Sequence, residues 1–465
     1  MRLLACRPAG GAALLACLGS VVVRGEATPL RSEPDRPMAE CCRIECCQSV
    51  PEVDLPGGVP LGGLSDLFVT AADGRSLVAW TLTDRGPNGT VGTGDAKRRT
   101  LLSPDFAPAI LKLRIATGGD AGGEFAAPVV ETMLPLHGRS GRPASGRPNG
   151  VGRDEPILDA QTGSPLAADH AGLDPEGLVV MPDGSFWATE EYRPSLLRIT
   201  AGGEVVERHV PAGVSLPDAD ARVIADLPAC YSDRRDNRGL EGLAISADAR
   251  RLFLLLQSPL DHPIKGAAKR TGNVRLLVVD ADTGSPVAEH VYRLGDPAEP
   301  EWATAGSPPN DGKLCALASL ADGSLLVLEQ ADGDLARLYR VDPASATNTL
   351  PATLSGGLAG EGVALETIAD LAAAGITPLP KALVADLAPL LPQIRSDIGM
   401  PADAAVKLEG LAVLDERRVL LVNDNDFGVA ADSGQPMPRT CLWVVTLPAD
   451  IAAAATVQAT APRDD

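Results

Sequence analysis

The segment LEGLAISADARRLFLLLQ, residues 240–257, contains two apolar runs separated by a short polar turn. The second run, residues 252–256, is apolar at every position, which is typical of a strand buried on both faces. Two such runs around a turn predict a β-hairpin. Glu241 and Gly242 stand at the start of the first run. The segment therefore predicts a hairpin whose first strand begins with a Glu-Gly pair.

The same unit recurs along the chain. An Asp-Gly pair or an equivalent polar turn joins the apolar runs in each copy, and Asp-Gly turns match the twist of paired strands. Copies begin near Leu64, Leu178, Leu243, Leu317 and Leu411. Up to four strands per unit, repeated five times, predict an all-β fold, a β-propeller. We expect five to seven blades, with six favoured through less regular sequence or closure between the termini; two sandwich domains are the alternative.

Other segments depart from this repeat. Residues 361–395 carry Leu and Ile at helical spacing with Pro breaks, which predicts a small helical insertion. We expect a signal peptide at 1–27, a Cys-rich segment at 28–60, the propeller domain at 61–450 and a disordered tail at 451–465.

The N-terminus has the features of a secretory signal. Arg2 and Arg7 precede an apolar run at 12–23, and Ala27 ends a small-residue cleavage site. In the alternative, LLAC ending at Cys17 is a lipoprotein box that attaches the chain to a membrane through an acylated cysteine. We therefore expect a secreted or periplasmic protein, with a lipid anchor at Cys17 as the alternative. No later segment reaches transmembrane length without charges.

Four cysteines crowd into ECCRIECCQ: Cys41, Cys42, Cys46 and Cys47. Two adjacent pairs are not the usual spacing of zinc ligands. In an exported chain disulfides are favoured, and zinc is the alternative.

Charge and motifs exclude several classes of function. The chain has 41 basic and 61 acidic residues and a net charge of −20, which disfavours nucleic acid as a partner. The sequence contains no HExxH, G-x-S-x-G or P-loop motif. We expect a monomer.

Three glutamates share one position in the repeat: Glu176, Glu241 and Glu409 each precede Gly and an apolar pair. The inner strands of a propeller run along one channel, so these carboxylates are expected at one rim. Like charges about 6 Å apart cost about 3 kcal/mol at an effective dielectric of about 20. The ring must then be protonated, paired with a basic side chain or filled by a cation. Arg238 and Lys407 are the candidate partners.

Further acidic residues fall at strand ends, in DRGPNG from Asp84, TEEY at 189–192 and NDNDFG at 423–428. Alternation places Asp424 and Asp426 on one face and the two asparagines on the other. Carboxylate oxygens favour calcium or magnesium. Alternatively, Asp and Asn close turns by bonding their own backbone, and the glutamates bind backbone amides.

Five motifs in order carry a family resemblance: LTDRGPN, GLDPEGLVVMPDGSFWATEEYRPSLLRI, NRGLEGLAISAD, KLEGLAVL and LLVNDNDFG. They resemble the phytase-like family described as "esterase-like activity of phytase", from about residue 61 to residue 428. The resemblance implies a propeller that hydrolyses a small phosphorylated or ester substrate with Ca²⁺, or with Mg²⁺ as the alternative. It implies metal ligands at Asp174, Glu176, Glu241, Glu409, Asn423, Asp424 and Asp426, and catalytic residues at Glu190, Glu191, Asn237 and Arg238.

The chain departs from the family pattern at two places. Arg193 stands where the family usually has glycine, and it could crowd the turn or add a cation for phosphate. Cys315 and Ala316 replace the Glu-Gly pair of the fourth unit. Two functions follow: an exported metal-dependent hydrolase of phosphoesters or phosphodiesters, or a non-catalytic propeller that binds a ligand or a protein.

Overall fold

The computed structural model describes residues 42–73, 75–92, 98–118, 125–150, 154, 156–295, 312–331, 334–355, 364–429 and 438–451. All of them belong to one compact unit, Glu40–Asp465. The predicted signal peptide, Cys17, Cys41 and residues 452–465 of the predicted tail lie outside the described residues. No helix within the described ranges is long and apolar enough to cross a membrane.

The predicted hairpins form five sheets of four or five strands, which confirms the propeller. Within each sheet the strands follow one another in chain order, except in blade 5, whose outer strand comes from the N-terminal part of the chain. Neighbouring strands pair antiparallel, except that the last strand of blade 2 pairs in parallel with the strand before it. The blades are blade 1 (Phe68–Asp73, Ser76–Leu82, Ala109–Ala116, Val129–Pro135), blade 2 (Pro175–Val180, Phe186–Glu190, Ser195–Ile199, Val205–Pro211, Arg222–Leu227), blade 3 (Leu240–Ile245, Arg251–Leu256, Asn273–Asp280, Pro286–Arg293), blade 4 (Lys313–Ser319, Leu325–Ala331, Leu335–Val341, Lys381–Asp386) and blade 5 (Leu408–Val413, Arg418–Asn423, Cys441–Thr446, Arg43–Ser49).

The first strands of the five blades surround one axis. Each lies next to the first strand of the following blade, and the first strand of blade 5 lies next to that of blade 1. A small cavity of about 60 Å³ is lined by three consecutive residues from each of four of these strands: residues 67–69, 243–245, 317–319 and 411–413. Two separate sandwiches would not bring these strands to one cavity, so the sandwich alternative is wrong.

The ring is closed by both ends of the chain. Arg43–Ser49 pairs antiparallel with Cys441–Thr446 and becomes the outer strand of blade 5. We considered this kind of closure as the source of a sixth blade, but it completes the fifth blade instead. The described residues form five blades, which is the lower limit of the predicted range of five to seven. Local composition does not reveal this pairing, because the two strands lie far apart in the sequence. The domain boundary between residues 60 and 61 stays a prediction.

The helical insertion predicted at 361–395 is only partly helical. Leu365–Thr367 and Ala388–Leu390 form 3-10 turns and Leu391–Ile398 forms an α-helix, but Lys381–Asp386 is the outer strand of blade 4. It pairs with Leu335–Val341. Residues 361–363 lie outside the described residues. The edge of an existing sheet supplied hydrogen-bond partners that override the helical spacing.

The remaining elements are short and connect or cover the blades. They are the strands Asp54–Leu55, Val59–Pro60, Asn88–Val91, Arg98–Leu101 and Ile157–Asp159, the 3-10 helices Ala229–Asp233, Ala267–Arg270, Pro343–Ser345 and Asp426–Gly428, and the α-helix Leu350–Leu354.

The cysteine-rich segment lies in the strand that closes the ring. Cys46 and Cys47, two described cysteines of this segment, form no disulfide. Burial raises the pKa of Cys46. Cys46 and Cys47 are neighbours on one strand and face opposite sides of the sheet, so they do not pair with each other. The disulfides and the zinc alternative stay predictions, because Cys41 lies outside the described residues.

The glycine of each Glu-Gly pair allows close packing between blades. A Cβ added to Gly177 would lie 2.5 Å from the carbonyl oxygen of Glu241, on the first strand of the next blade. At Gly242 it would lie 2.8 Å from Cβ of Leu317 in blade 4, and at Gly410 it would lie 2.9 Å from the backbone carbonyl carbon of Asp66. The glycines are therefore required by the spacing of the inner strands.

We expect Gly177→Ala to lower the free energy of unfolding by about 1–3 kcal/mol, because the new methyl group must displace the neighbouring backbone. Denaturant unfolding measures the change. Gly202→Ala is the matched control, since the nearest atom to its Cβ would be 3.8 Å away. Equal stability of the two variants would contradict this account of the ring.

Candidate active site

Local bulges direct the repeated glutamates into the channel. The pairing register of the first strand shifts between residues 175 and 178 in blade 2, 240 and 243 in blade 3, and 408 and 410 in blade 5. A bulge places two residues opposite one and re-aims a side chain. Glu176, Glu241 and Glu409 each lie at such a bulge, and all three line one cavity of about 260 Å³.

The cavity lies where the inner strands begin and its wall is almost wholly polar. Eight carboxylates and five basic side chains line it together with Ser65, Asn88, Asn237 and Gln257. The carboxylates are Asp84, Glu176, Glu191, Asp236, Glu241, Glu409, Asp424 and Asp426, and the basic residues are Arg85, Arg99, Arg238, Lys313 and Lys407. Acidic and basic groups thus share a small buried space.

Glu241 and Glu409 form a close carboxyl pair. Oε1 of Glu241 accepts a hydrogen bond from Nε2 of Gln257 at 2.7 Å, whereas Oε2 of both glutamates has no described donor. Burial and then the charge of Glu409 raise the pKa of Glu241. Burial and then the charge of Asp424 raise the pKa of Glu409 to about 7. The two groups can therefore share a proton near neutral pH.

Glu176 is the third member of the ring. Its carboxylate accepts no hydrogen bond from a described residue, and burial and the charge of Glu241 raise its pKa. One carboxylate oxygen from each of Asp174, Glu176 and Glu191 lies within 4.8 Å of the other two. Such a group of oxygens is the chemical environment that a hard cation prefers.

Arg85 neutralises part of this group. Its Nη2 donates to Oε2 of Glu191 at 3.0 Å and contacts the carboxylate of Asp174 and Oδ1 of Asn237. Its backbone N–H donates to Oδ1 of Asp174 at 3.0 Å. Burial nevertheless raises the pKa of Asp174 to about 8. One arginine does not compensate for the burial of these carboxylates.

Asp424 and Asp426 form a second acidic pair in the cavity, around Lys407. Lys407 Nζ lies 3.3 Å from Oδ2 of Asp424 and also contacts Asp426. Burial raises the pKa of Asp424 to about 6, and burial and the charge of Asp424 raise the pKa of Asp84. Lys407, predicted as the partner of Glu409, thus forms its salt bridges with the two aspartates instead.

Arg238, the predicted partner of Glu241, has no salt bridge with a described carboxylate. Its Nη1 donates to the carbonyl oxygen of Gly312 at 3.4 Å. Lys313 likewise lines the cavity without a described salt bridge. The sequence reasoning missed Lys313, although it stands two residues before Cys315 as Lys407 stands two residues before Glu409. Arg99, Asp236 and Gln257 were missed too, since no repeated pattern marks them.

Glu190 does not line the cavity. Its carboxylate is fully buried and accepts hydrogen bonds from the backbone N–H groups of Tyr192 and Arg193, from Ser195 and from Arg208, whose Nη2 lies at 2.7 Å. This geometry holds the turn after the second strand of blade 2 and keeps Glu190 apart from the cavity residues. The catalytic role of Glu190 stays a prediction.

Asn423 and Arg193 are also structural in position. Asn423 donates to the carbonyl oxygen of Arg439 at 3.0 Å and accepts from the N–H of Cys441 at 2.8 Å, which places it inside blade 5, outside the lining of the cavity. Its role as a metal ligand stays a prediction. Arg193 is buried against Asp154, with which it forms a salt bridge, and does not reach the cavity as a phosphate-binding cation.

The remaining donor set suits a divalent cation with oxygen ligands. The two buried Oε2 atoms without a donor, the unbonded carboxylate of Glu176 and the raised pKa values all reflect negative charge that the described basic residues do not neutralise. Burial of like charges at such short range requires protons or a cation. Occupation of the cavity by Ca²⁺ or Mg²⁺ stays a prediction.

Comparison with known proteins identifies the family of this chain. The pattern of the family described as "esterase-like activity of phytase" matches residues 59–427, most of the chain. The chain belongs to this phytase-like family. The match covers the cavity residues from Ser65 to Asp426 and leaves the ring-closing strands Arg43–Ser49 and Cys441–Thr446 outside.

Individual relatives of this phytase-like chain are distant. An uncharacterised secreted protein from Arthroderma benhamiae is 26% identical over 245 residues, 46% of this chain and 46% of that protein, so the match spans less than half of either. Among solved structures, the chain is similar to a PQQ-bound aldose sugar dehydrogenase from Streptomyces coelicolor, with 12% sequence identity and a TM-score of 0.29. The match covers 86% of this chain and 98% of the dehydrogenase. A β-propeller domain from Myceliophteria thermophila is 16% identical, with 72% and 82% covered and a TM-score of 0.26.

We expect the melting temperature in chelator to fall as the pH rises from 5 to 8. The folded-state pKa of Glu409 is raised from 4.5 to about 7, so its contribution to stability is complete below pH 4.5 and is lost as the pH rises through about 7. The loss should exceed about 2 °C. Excess Ca²⁺ should reduce it, because a cation replaces the protons and binds only the folded state. A flat profile in chelator, or the same fall with and without Ca²⁺, would contradict the interpretation.

Proposed function

We propose that this chain is an exported hydrolase of phosphoesters or phosphodiesters that uses a divalent cation, Ca²⁺ by preference and Mg²⁺ as the alternative. One observation carries the proposal. In a single cavity, uncompensated carboxylates lie beside Arg238 and Lys313, two basic side chains without a described salt bridge. A phosphate group bridging a metal ion and basic residues requires both kinds of charge in one place.

The carboxylates are assigned to the cation. Glu176, Glu241 and Glu409 would hold it, with Asp424 close to Glu409 and Asp174 beside Glu176. A bound Ca²⁺ would supply positive charge that stabilises the negative charge developing on the phosphoryl oxygens. Asp426 is paired with Lys407 at the mouth and orients that lysine.

The basic residues are assigned to the phosphate. Arg238 and Lys313 can donate N–H groups to its oxygens, and Asn237 lies beside them on the wall. Glu191 is the candidate base, because Arg85 holds its carboxylate in place at 3.0 Å and it borders the cavity. It would accept a proton from the attacking water as the water oxygen bonds to phosphorus. The bond between phosphorus and the ester oxygen would break, and Glu191 would return the proton to that oxygen, so that the alcohol leaves.

Export is part of the proposal. The predicted signal sequence and the matched relative named as a secreted protein both support it. The experimental check is the N-terminus of protein isolated from its native host, which we expect to start after Ala27, or at an acylated Cys17.

We expect Glu176→Gln to weaken Ca²⁺ binding about 10–100-fold while the fold is retained, because the size is kept and one ligand charge is lost. Hydrolysis of 4-nitrophenyl phosphate and bis(4-nitrophenyl) phosphate should fall with it, and chelator should abolish hydrolysis by the unmodified protein. Calorimetry and a 4-nitrophenolate assay measure the two effects.

Glu52→Gln is the matched control, since Glu52 is exposed and does not line the cavity. Metal binding without hydrolysis of either phosphate or of 4-nitrophenyl acetate would favour the non-catalytic propeller that binds a ligand. Unchanged Ca²⁺ affinity in Glu176→Gln would remove the assignment of the metal site.

A further inference from the structure

A second and larger cavity adjoins the polar one. It has a volume of about 680 Å³ and lies between blades 4 and 5, bounded by the helix Leu391–Ile398. Lys313, Lys407 and Glu409 line both cavities. A molecule with its phosphate at Lys313 could therefore extend into the second cavity without crossing a wall.

The missing glutamate of blade 4 accounts for this opening. Cys315 occupies the position that Glu241 and Glu409 occupy in the neighbouring blades, and its smaller side chain lines the second cavity instead of the first. Gln330 forms part of the wall, where its amide donates to Sγ of Cys315 at 3.0 Å and to the carbonyl oxygen of Leu408 at 2.6 Å. The two blades are thus tied together beside the space that a glutamate would have filled.

The wall of the second cavity combines apolar and polar groups, with somewhat more apolar than polar surface. Cys315, Leu335, Leu391 and Val406 contribute apolar surface, and Gln330, Asp334, Arg395 and Asp403 contribute polar groups. Arg395 is the basic residue that it does not share with the polar cavity, and its guanidinium is bound to Asp334 and to the carbonyl oxygen of Ala404 at 2.6 Å. The described residues of this cavity therefore offer no unpaired cation apart from Lys313 at the junction.

We propose that the second cavity is the subsite for the alcohol part of the substrate and that it accepts an uncharged, mainly aliphatic or aromatic group carrying a single phosphate. This inference rests on the proposed function, because it takes the polar cavity as the phosphate site. A polyphosphorylated alcohol such as phytate fits poorly, since each further phosphate would need its own basic partners and would meet Asp334, Asp403 and Glu409.

Hexyl phosphate and ethyl phosphate test the subsite, because their alkoxide leaving groups have similar basicity and differ in apolar surface. With Ca²⁺ present and phosphate release as the readout, kcat/KM should be at least about tenfold higher for hexyl phosphate. Val406→Trp, which fills the cavity, should abolish this preference by lowering kcat/KM for hexyl phosphate to the value for ethyl phosphate. Ala405→Trp is a second filling variant, should the first misfold.

Val287→Trp is the matched control, because Val287 is exposed on blade 3 and lines neither cavity. Binding of hexylphosphonate and ethylphosphonate, measured by calorimetry, separates the subsite from catalysis. The protein could bind hexylphosphonate more tightly than ethylphosphonate, lose this preference in Val406→Trp and hydrolyse none of the esters. That result would support the subsite and contradict the proposed hydrolase activity. Hydrolysis with equal kcat/KM for the two esters, or faster hydrolysis of phytate than of hexyl phosphate, would overturn the subsite and leave the hydrolase standing.

Discussion

The close approach of neighbouring inner strands is the constraint on which the rest of the structure depends. It is possible because Gly177, Gly242 and Gly410 have no side chain where the next blade packs. Blade 1 has Asp66 at the corresponding position, and its Oδ2 accepts the N–H of Leu178 at 2.8 Å, so a hydrogen bond makes that junction. The glutamates before these glycines, Glu176, Glu241 and Glu409, point toward the axis, so that side chains from three blades line one cavity.

This packing creates an electrostatic conflict at the rim. Carboxylates that would be solvated on an isolated hairpin are buried together, which favours their protonated forms and raises the pKa of Glu409 to about 7 and of Asp174 to about 8. Arg85 and Lys407 relieve the conflict locally. A bound cation and a phosphate would relieve the rest together, which is why the proposed function requires both.

Neighbouring residues in one motif have opposite roles because the strand ends between them. Glu190 is the last residue of its strand and bonds the following turn and Arg208, whereas Glu191 borders the cavity beside Arg85. The same division separates Asn423, which bonds within blade 5, from Asp424 at the rim. Each of these two acidic motifs thus combines one residue that builds the turn or blade with one that faces the cavity.

The sequence by itself determined the hairpin repeat, the propeller and the common position of Glu176, Glu241 and Glu409, because strand alternation and turn chemistry act over a few residues. Only the tertiary structure decided that Arg43–Ser49 completes blade 5 and that Lys381–Asp386 is a strand, since both depend on partners far along the chain. It also decided which ionisable groups meet. Lys407 pairs with Asp424 and Asp426, and Cys315 borders a second cavity, because side chains are brought together by the ring and not by their spacing in the sequence.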